Sequence, residues 1–101
     1  MSRLENLHGC EGFEWDEGNV SHLAERHGVR PAECEQAILN RPLVVADDRT
    51  HSQDEPRFYA LGRTDDGRHL FVVMTVRGKL LRVVTVRDMN RKESKVYRDA
   101  D

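Results

Sequence analysis

The fold of this chain is decided by residues 57–87, which read RFYALGRTDDGRHLFVVMTVRGKLLRVVTVR. Apolar and polar residues alternate through much of this segment, as is typical of β-strands. Asp66-Gly67 and Arg77-Gly78 divide it, and Asp-Gly is a strong signal for a two-residue hairpin turn. The segment therefore predicts an antiparallel meander of three strands, at about 57–63, 68–76 and 79–87.

The middle strand is predicted to lie at the centre of the sheet. Its residues 70–74, Leu-Phe-Val-Val-Met, are apolar at every position. Because both faces of such a strand need cover, it is not expected at an edge.

Two further strands and a last helix flank the meander. Phe-Glu-Trp-Asp at 13–16 and Leu-Val-Val-Ala at 43–46 have the composition of short strands. The segment 47–56 is polar and is expected to be a mobile loop. Residues 89–98 include four Lys and Arg and predict a basic C-terminal helix.

Two helices are predicted before the meander. Asp16 is a suitable N-cap for a helix over 17–27, and Gly28 follows where a left-handed residue would end it. Pro31 fits the first turn of a second helix over 31–40.

The length of 101 residues leaves room for one hydrophobic core. We expect a single α+β domain over 13–101, with two N-terminal helices, an antiparallel meander sheet and a basic C-terminal helix, after a flexible lead-in over 1–12. No apolar run approaches the roughly 18 residues that a membrane span needs. The first residues also lack the apolar run of a signal peptide, so the sequence predicts a cytoplasmic protein with no membrane contact.

Charge is divided unevenly along the chain. Residues 1–56 hold five Lys and Arg against twelve Asp and Glu, a net −7, whereas residues 57–98 hold eleven against four, a net +7. This polarity predicts one surface suited to anions and another suited to cations. Packing of the two halves against each other is the alternative explanation.

Three arginines of the meander are predicted to project from one face of the sheet. If both turns have two residues, Arg63 lies opposite Leu70, and Arg68 lies opposite Arg87. A guanidinium suits a phosphate because its planar fork donates two parallel hydrogen bonds and keeps its charge. This register therefore predicts a site for a phosphate at one end of the sheet.

Ordinary salt bridges are the alternative role for these arginines. Asp65, Asp88 or Glu93 could pair with them, and structural ion pairs are commoner than active sites. His69 is a candidate general acid or base, but the same register places it on the opposite face. The histidines and cysteines have no metal-ligand spacing, so no metal site and no cofactor are expected.

Several short motifs follow one another in an order typical of a known family. They are Phe-Glu-Trp-Asp at 13–16, Arg-His-Gly-Val at 26–29, Leu-Gly-Arg at 61–63, the apolar strand 70–74, Val-Arg-Asp-Met at 86–89, Arg-Lys-Glu at 91–93, and Tyr97. Together they resemble the BrnT toxin family over residues 13–98. The resemblance implies a fold similar to RelE-type ribonucleases, within a bacterial type II toxin–antitoxin system.

The activity implied by the resemblance is RNA cleavage without a metal. Arg63 and Arg87 match the arginines implicated in cleavage, where they would stabilise the scissile phosphate while the 2′-hydroxyl attacks. Proton transfer is left among His69, Glu93 and Tyr97. The implied partner is a ribbon-helix-helix antitoxin that silences the toxin, and operator DNA is contacted only through that antitoxin.

Further cations are expected to bind the phosphates of the RNA substrate. Arg68 would assist at the scissile phosphate. Arg91 and Lys92, in the first turn of the basic helix, would bind neighbouring phosphates.

The chain departs from the family pattern in its first two helices. Asn19 stands where a Lys is usual, Leu23 where an Asn is common, and Arg30 where a Ser often caps the second helix. Loss of the lysine is expected to weaken RNA binding or proton transfer. The alternative function is therefore a non-catalytic interaction module that binds an acidic protein partner; direct DNA binding is disfavoured because no helix-turn-helix is visible.

Overall fold

The computed structural model describes residues 10–47 and 57–100. In chain order the elements are β1 (Gly12–Glu14), α1 (Glu17–His27), α2 (Pro31–Leu39), β2 (Val44–Asp47), β3 (Arg57–Arg63), β4 (His69–Arg77), β5 (Leu80–Asp88) and α3 (Arg91–Asp99). Every predicted helix and strand is confirmed to within two residues at each end. Most of the predicted lead-in and of the predicted polar loop lies outside the described residues, and Gly12 and Asp47 belong to strands.

The five strands form one mixed sheet in the order β1-β5-β4-β3-β2. The predicted meander of β3, β4 and β5 is antiparallel and β4 is central, as predicted. β2 pairs with β3, also in antiparallel orientation. β1 pairs with β5 in parallel, with Phe13 opposite Leu81, so the prediction of an antiparallel sheet is wrong at this edge. A parallel neighbour needs a long connection, and the whole chain between these two strands supplies it.

The two N-terminal helices begin as their sequences predict. Asp16 is the N-cap of α1: the Asn19 N–H donates to the Asp16 carboxylate at 3.2 Å, and the Asp16 N–H donates to Asn19 Oδ1 at 2.8 Å. Gly28 ends α1 with a φ of 60°, and Pro31 opens α2. These local signals set where each helix begins and ends.

α1 and α2 cover one face of the sheet, termed the helix face. The buried side chains there are Phe58, Ala60, Leu70, Val72, Met74, Leu81, Val83 and Val86 from the strands, with Leu23, Val29, Cys34, Ala37 and Ile38 from the helical part of the chain. Burying one such aliphatic or aromatic side chain stabilises the fold by about 1.5–3 kcal/mol. The helix face therefore holds the hydrophobic core.

α2 approaches the sheet most closely at Gly62 in β3. A Cβ atom at this position would collide with the backbone carbonyl of Ala37 in α2. The glycine of the Leu-Gly-Arg motif is thus required by helix–sheet packing, and it sets the distance between α2 and the strand that ends in Arg63.

The hairpin between β3 and β4 has a three-residue loop, and the predicted two-residue turn is wrong. The Thr64 N–H donates to the Arg68 carbonyl at 2.9 Å and so closes the loop. Gly67 has a φ of 89° at the last loop position, where a type I turn is followed by a left-handed residue. As a result, Arg63 lies opposite His69 instead of Leu70.

The hairpin between β4 and β5 is also displaced from its predicted register. Its turn lies at 78–79, one residue further along the chain, and a bulge interrupts the ladder beyond it. A bulge adds one residue to one strand and so reverses the faces of all residues beyond it. Arg87 consequently lies opposite Phe71, and its predicted pairing with Arg68 is wrong.

Candidate active site

The face of the sheet opposite α1 and α2 carries the predicted arginine pair. Residues directly opposite in neighbouring strands share a face, as do residues two apart along a strand. The pairs Arg63–His69 and Phe71–Arg87 therefore project together. This surface is termed the arginine face, and its further members include Val44, Ala46, Tyr59 and Leu61. The prediction that the two arginines share a face is confirmed, because the two register errors cancel.

Arg87 is held by groups on three sides. Its Nη1 and Nη2 donate to the two carboxylate oxygens of Glu93, each at 2.8 Å, and Nη1 also donates to the Asp88 carbonyl at 3.2 Å. The guanidinium carbon lies 4.1 Å from the centre of the Phe71 ring, a cation–π contact. Hydrogen bonding within the ion pair raises the pKa of Arg87 and lowers the pKa of Glu93. Both groups are therefore charged at neutral pH, and the salt bridge expected as an alternative is present.

Glu93 has a second function at the start of α3. Its carboxylate accepts the N–H of Asn90 at 2.9 Å, while Asn90 Oδ1 accepts the N–H of Glu93 at 2.8 Å. This reciprocal arrangement is a capping box, which satisfies two backbone N–H groups at the helix start. The carboxylate beside Arg87 is thus fixed by the helix itself.

Arg63 has a different environment at the end of β3. Its Nη2 donates to the Arg41 carbonyl at 2.9 Å, and within residues 10–47 and 57–100 its guanidinium makes no ion pair. Asp65, an expected alternative partner, instead accepts a hydrogen bond from Asn40 Nδ2 at 3.0 Å. Asn40 Nδ2 also donates to the Arg63 carbonyl at 2.9 Å and joins β3 to the end of α2. Arg63 therefore keeps its positive charge available to a ligand.

His69 lies on the arginine face, and the prediction that places it on the other face is wrong. The three-residue loop reverses the faces of β4, so that His69 comes to lie opposite Arg63. Its ring meets the ring of Tyr97 edge-on, with centroids 5.0 Å apart. Tyr97 is 2% exposed, and its hydroxyl donates to the Pro42 carbonyl at 2.7 Å. Tyr97 thus fastens α3 across this face and supports His69.

Arg68 lies on the helix face, and the prediction that it joins the other two arginines is wrong. Its Nε and Nη2 donate to the Asp88 carboxylate at 2.7 and 3.1 Å, and Nη1 donates to the Gly28 carbonyl at 3.2 Å. The carboxylate of Glu33 lies 3.7 Å away. Hydrogen bonding to Asp88 raises the pKa of Arg68. Arg68 joins the sheet to the turn between α1 and α2.

A groove of about 320 Å³ runs between α3 and the sheet. It is lined by Val44, Ala46, Tyr59, Leu61, Phe71, Asn90, Lys92, Glu93 and Val96. The rings of Tyr59 and Phe71 lie 5.5 Å apart on its floor. Of the two cations predicted to bind RNA on α3, Lys92 lines the groove and Arg91 is exposed in the first turn. The groove therefore combines an aromatic floor with a cationic rim next to Arg87.

The aromatic floor is the part of the site that sequence reasoning missed. Phe71 belongs to an apolar run, which predicts core packing at every position. Phe71 contacts Arg87 because the two residues lie opposite each other in β4 and β5. This contact can be predicted only when the register of the two strands is known.

The positions that depart from the family pattern have structural contacts. Asn19 is 5% exposed, and its Nδ2 donates to the carbonyls of Glu14 and Val83 at 3.0 and 3.3 Å. Leu23 is fully buried in the core of the helix face. The Arg30 N–H donates to Glu33 at 2.9 Å at the start of α2. Asn19 thus joins α1 to β1 and β5, and the other two departures support the helices.

The described part of the chain holds no arrangement typical of a metal centre. Among residues 10–47 and 57–100, no group of three or more His, Cys, Asp or Glu side chains could hold a metal ion. Cys10 and Cys34 are free thiols, and burial raises the pKa of Cys34 to about 12, so this thiol is protonated at neutral pH. None of the helices within these ranges is long and apolar enough to cross a membrane.

Comparison with known proteins gives one informative match. Residues 15–93 match the family described as "Ribonuclease toxin, BrnT, of type II toxin-antitoxin system". No curated protein matches the chain. The matched segment contains both helices of the helix face, the whole meander, and the start of α3 with Glu93. The chain therefore belongs to the BrnT family of ribonuclease toxins of type II toxin–antitoxin systems.

Proposed function

We propose that the arginine face is the active site of an endoribonuclease with a RelE-type fold. The observation that carries this proposal is the placement of Arg63, His69 and Arg87 on one face, beside a groove with an aromatic floor. Two cations and a titratable ring are the groups that a phosphate and its attacking hydroxyl need. Family membership supports the same activity.

The proposed reaction is an attack by a ribose 2′-hydroxyl on the adjacent phosphate. The bond from the 2′-oxygen to phosphorus forms, and the bond from phosphorus to the 5′-oxygen breaks, which leaves a 2′,3′-cyclic phosphate. Arg63 and Arg87 stabilise the negative charge that develops on the phosphate oxygens. His69 takes the proton of the 2′-hydroxyl, and the departing 5′-oxygen takes a proton from a water molecule. Because the guanidiniums supply the positive charge, no metal ion is required.

The proposed partner is a ribbon-helix-helix antitoxin that silences the toxin and binds operator DNA. The toxin family supports an antitoxin partner, and the half-buried apolar groove beside Arg87 is a suitable surface for it. RNA phosphates outside the cleavage site would bind Arg91 and Lys92, which project from the first turn of α3. The chain itself contacts no DNA in this proposal.

The alternative function is a non-catalytic module that binds an acidic protein. One observation favours it: the groove under α3 is lined mainly by apolar side chains, with Lys92 at its rim. An apolar groove with a cationic rim suits an amphipathic acidic segment of a protein partner.

RNA cleavage by the purified protein separates the two functions. The protein is incubated with a mixed-sequence RNA labelled at its 5′-end, with and without EDTA, and the products are examined for 2′,3′-cyclic phosphate ends. We expect cleavage at equal rates in both samples, and inhibition by the protein encoded in the adjacent reading frame. Intact RNA together with tight binding of that neighbouring protein would favour the interaction module.

A further inference from the structure

The hydrogen-bond donors of Arg87 are only partly used. A guanidinium has five N–H donors. Within the described residues, Glu93 accepts one from each terminal nitrogen and the Asp88 carbonyl accepts the second one on Nη1. The two that remain are the Nε–H and the second N–H of Nη2, which lie parallel along one edge of the group. Such an edge is the fork with which arginine binds phosphate oxygens.

The direction of this fork is set by Glu93 and Phe71. The carboxylate fixes the guanidinium within its plane through two hydrogen bonds of 2.8 Å. The ring of Phe71 supports the guanidinium plane, since the guanidinium carbon lies 4.1 Å from the centre of the ring. Glu93 is in turn held by the capping box with Asn90, so the support is connected to the backbone of α3.

The other arginine–carboxylate pair uses its donors differently. Arg68 donates to Asp88 through Nε and Nη2, which is the same edge that Arg87 leaves open. Its Nη1 donates to the Gly28 carbonyl. An ion pair made through Nε therefore uses the donors with which an arginine would bind a phosphate. An ion pair made through the two terminal nitrogens leaves the donors of the Nε edge unused.

We infer that Glu93 is a positioning residue for Arg87, which it holds against Phe71 with the Nε edge open toward the scissile phosphate. Glu93 is then neither the acid nor the base of the cleavage step. A carboxylate whose two oxygens both accept hydrogen bonds from a cation is a weak base, which agrees with this role. The inference rests on the proposed function of Arg87 as a phosphate ligand.

A double-mutant cycle tests the inference. Glu93→Gln keeps an acceptor for the Asn90 N–H but turns an amide NH₂ toward Arg87. We expect kcat for RNA cleavage to fall about tenfold, with a smaller change in KM, because a misdirected catalytic group loses transition-state contacts. In the Arg87→Ala background the same substitution should have no further effect. The matched control on the helix face, Asp88→Asn, should leave kcat within about twofold of the wild-type value.

Each outcome of the cycle has a distinct meaning. If kcat of the double variant is a further tenfold below that of Arg87→Ala, Glu93 acts independently of Arg87 and the inference is overturned. The same conclusion holds if Glu93→Gln removes the acidic limb of the pH–rate profile. If Arg87→Ala cleaves RNA as well as the wild type, the proposed function fails instead. An additional variant, Phe71→Leu, should lower kcat only in the presence of Arg87.

A measurement without catalysis gives a second test. In NMR spectra of the protein labelled with ¹⁵N, the Arg87 Nε–H signal should shift when a fully 2′-O-methylated RNA of mixed sequence is added. Glu93→Gln should speed the exchange of the Arg87 Nε–H with water. Asp88→Asn should speed the exchange of the Arg68 Nε–H and leave that of Arg87 unchanged. An Arg87 signal that is unchanged by both RNA and Glu93→Gln would refute the inference.

Discussion

The two faces of the sheet hold the same kind of ion pair in different geometries. On the helix face, Arg68 donates to Asp88 and to the Gly28 carbonyl, so that its donors connect the sheet to the turn between α1 and α2. On the arginine face, Arg87 donates to Glu93 through its two terminal nitrogens, and within the described residues its Nε–H has no hydrogen-bond acceptor. The two ion pairs therefore differ in the guanidinium edge that they use: Arg68 uses its Nε edge, whereas Arg87 uses its two terminal nitrogens. In the function proposed for Arg87, this difference separates a structural arginine from one that binds a phosphate.

Burial also differs between the two faces. The helix face is closed by apolar side chains, whereas Tyr59, Phe71, His69 and Arg87 on the arginine face are half-buried. Substitutions of the buried apolar side chains on the helix face should therefore change stability, whereas substitutions of the half-buried Arg63, His69 and Arg87 should change activity.

The largest expected effect is the loss of activity in Arg63→Ala and Arg87→Ala. Each should lower the rate of RNA cleavage about a hundredfold, or about 2.7 kcal/mol, because water does not replace a positioned charge at a developing oxyanion. Arg63→Lys and Arg87→Lys should recover only part of the rate, since an ammonium lacks the planar fork. Growth arrest on induction and cleavage of labelled RNA are the measurements.

Arg68→Ala is the matched control for these variants. It should keep the cleavage rate within about twofold and lower the free energy of unfolding by about 1 kcal/mol, since its ion pair is partly exposed. A hundredfold loss of activity in a folded Arg68→Ala protein would contradict the division between the two faces.

The next largest effect is the loss of stability in Gly62→Ala. The new methyl group meets the backbone carbonyl of Ala37, so α2 has to move away from the sheet. We expect a loss of about 3 kcal/mol in the free energy of unfolding, measured by urea denaturation. Gly12→Ala is the control, because its Cβ would lie at an ordinary contact distance of 3.7 Å from Leu80. Equal urea midpoints for Gly62→Ala and Gly12→Ala would show that α2 does not pack against Gly62 as described.

A smaller loss of stability is expected for Asn19→Lys, which restores the residue usual in the family. Asn19 accepts from the Asp16 N–H and donates to two carbonyls in a buried position. Replacing it should lower the free energy of unfolding by about 2 kcal/mol, since the three hydrogen bonds of the Asn19 side chain are lost and a long cation enters a buried position. Thermal unfolding measures this cost. A rise in RNA cleavage without loss of stability would show that position 19 serves the active site after all.

The smallest effect is an acid dependence of stability that comes from Glu93. The Arg87 ion pair lowers the pKa of Glu93 in the folded protein below the unfolded value of about 4.3. The ion pair therefore stabilises the fold above pH ~4.3, and this contribution is lost as the pH falls through the folded pKa. The free energy of unfolding of the wild type should exceed that of Glu93→Gln by less than about 1 kcal/mol at pH 7, and by a still smaller amount at pH 3. Urea denaturation at both pH values checks this; a difference that grows on acidification would contradict the lowered pKa.

Local signals in the sequence were sufficient for the secondary structure. Asp16, Gly28 and Pro31 set the helix boundaries because capping and backbone preference act within a few residues. The apolar run 70–74 identified the central strand because a strand that is apolar on both faces requires cover. The Leu-Gly-Arg motif identified Arg63, although the reason for its glycine became clear only from the position of α2.

The sequence did not allow a correct prediction of which residues project from which face of the sheet. Asp66-Gly67 fits both a two-residue turn and the end of a three-residue loop, and the choice depends on the hydrogen bond between Thr64 and Arg68. A shift of one residue turns every side chain of the strand to the other face. This single difference moved Arg68 into the helix face and His69 into the arginine face.

The sequence by itself determined the helices, the strands, the central position of β4 and the candidate arginines, since each depends on the preferences of neighbouring residues. The tertiary structure alone decided which of these arginines share a face of the sheet. That outcome depends on loop closure, on the bulge in the ladder between β4 and β5, and on the packing of α3 over Phe71 and Arg87. These are contacts between residues far apart in the chain, and short-range patterns do not encode their register.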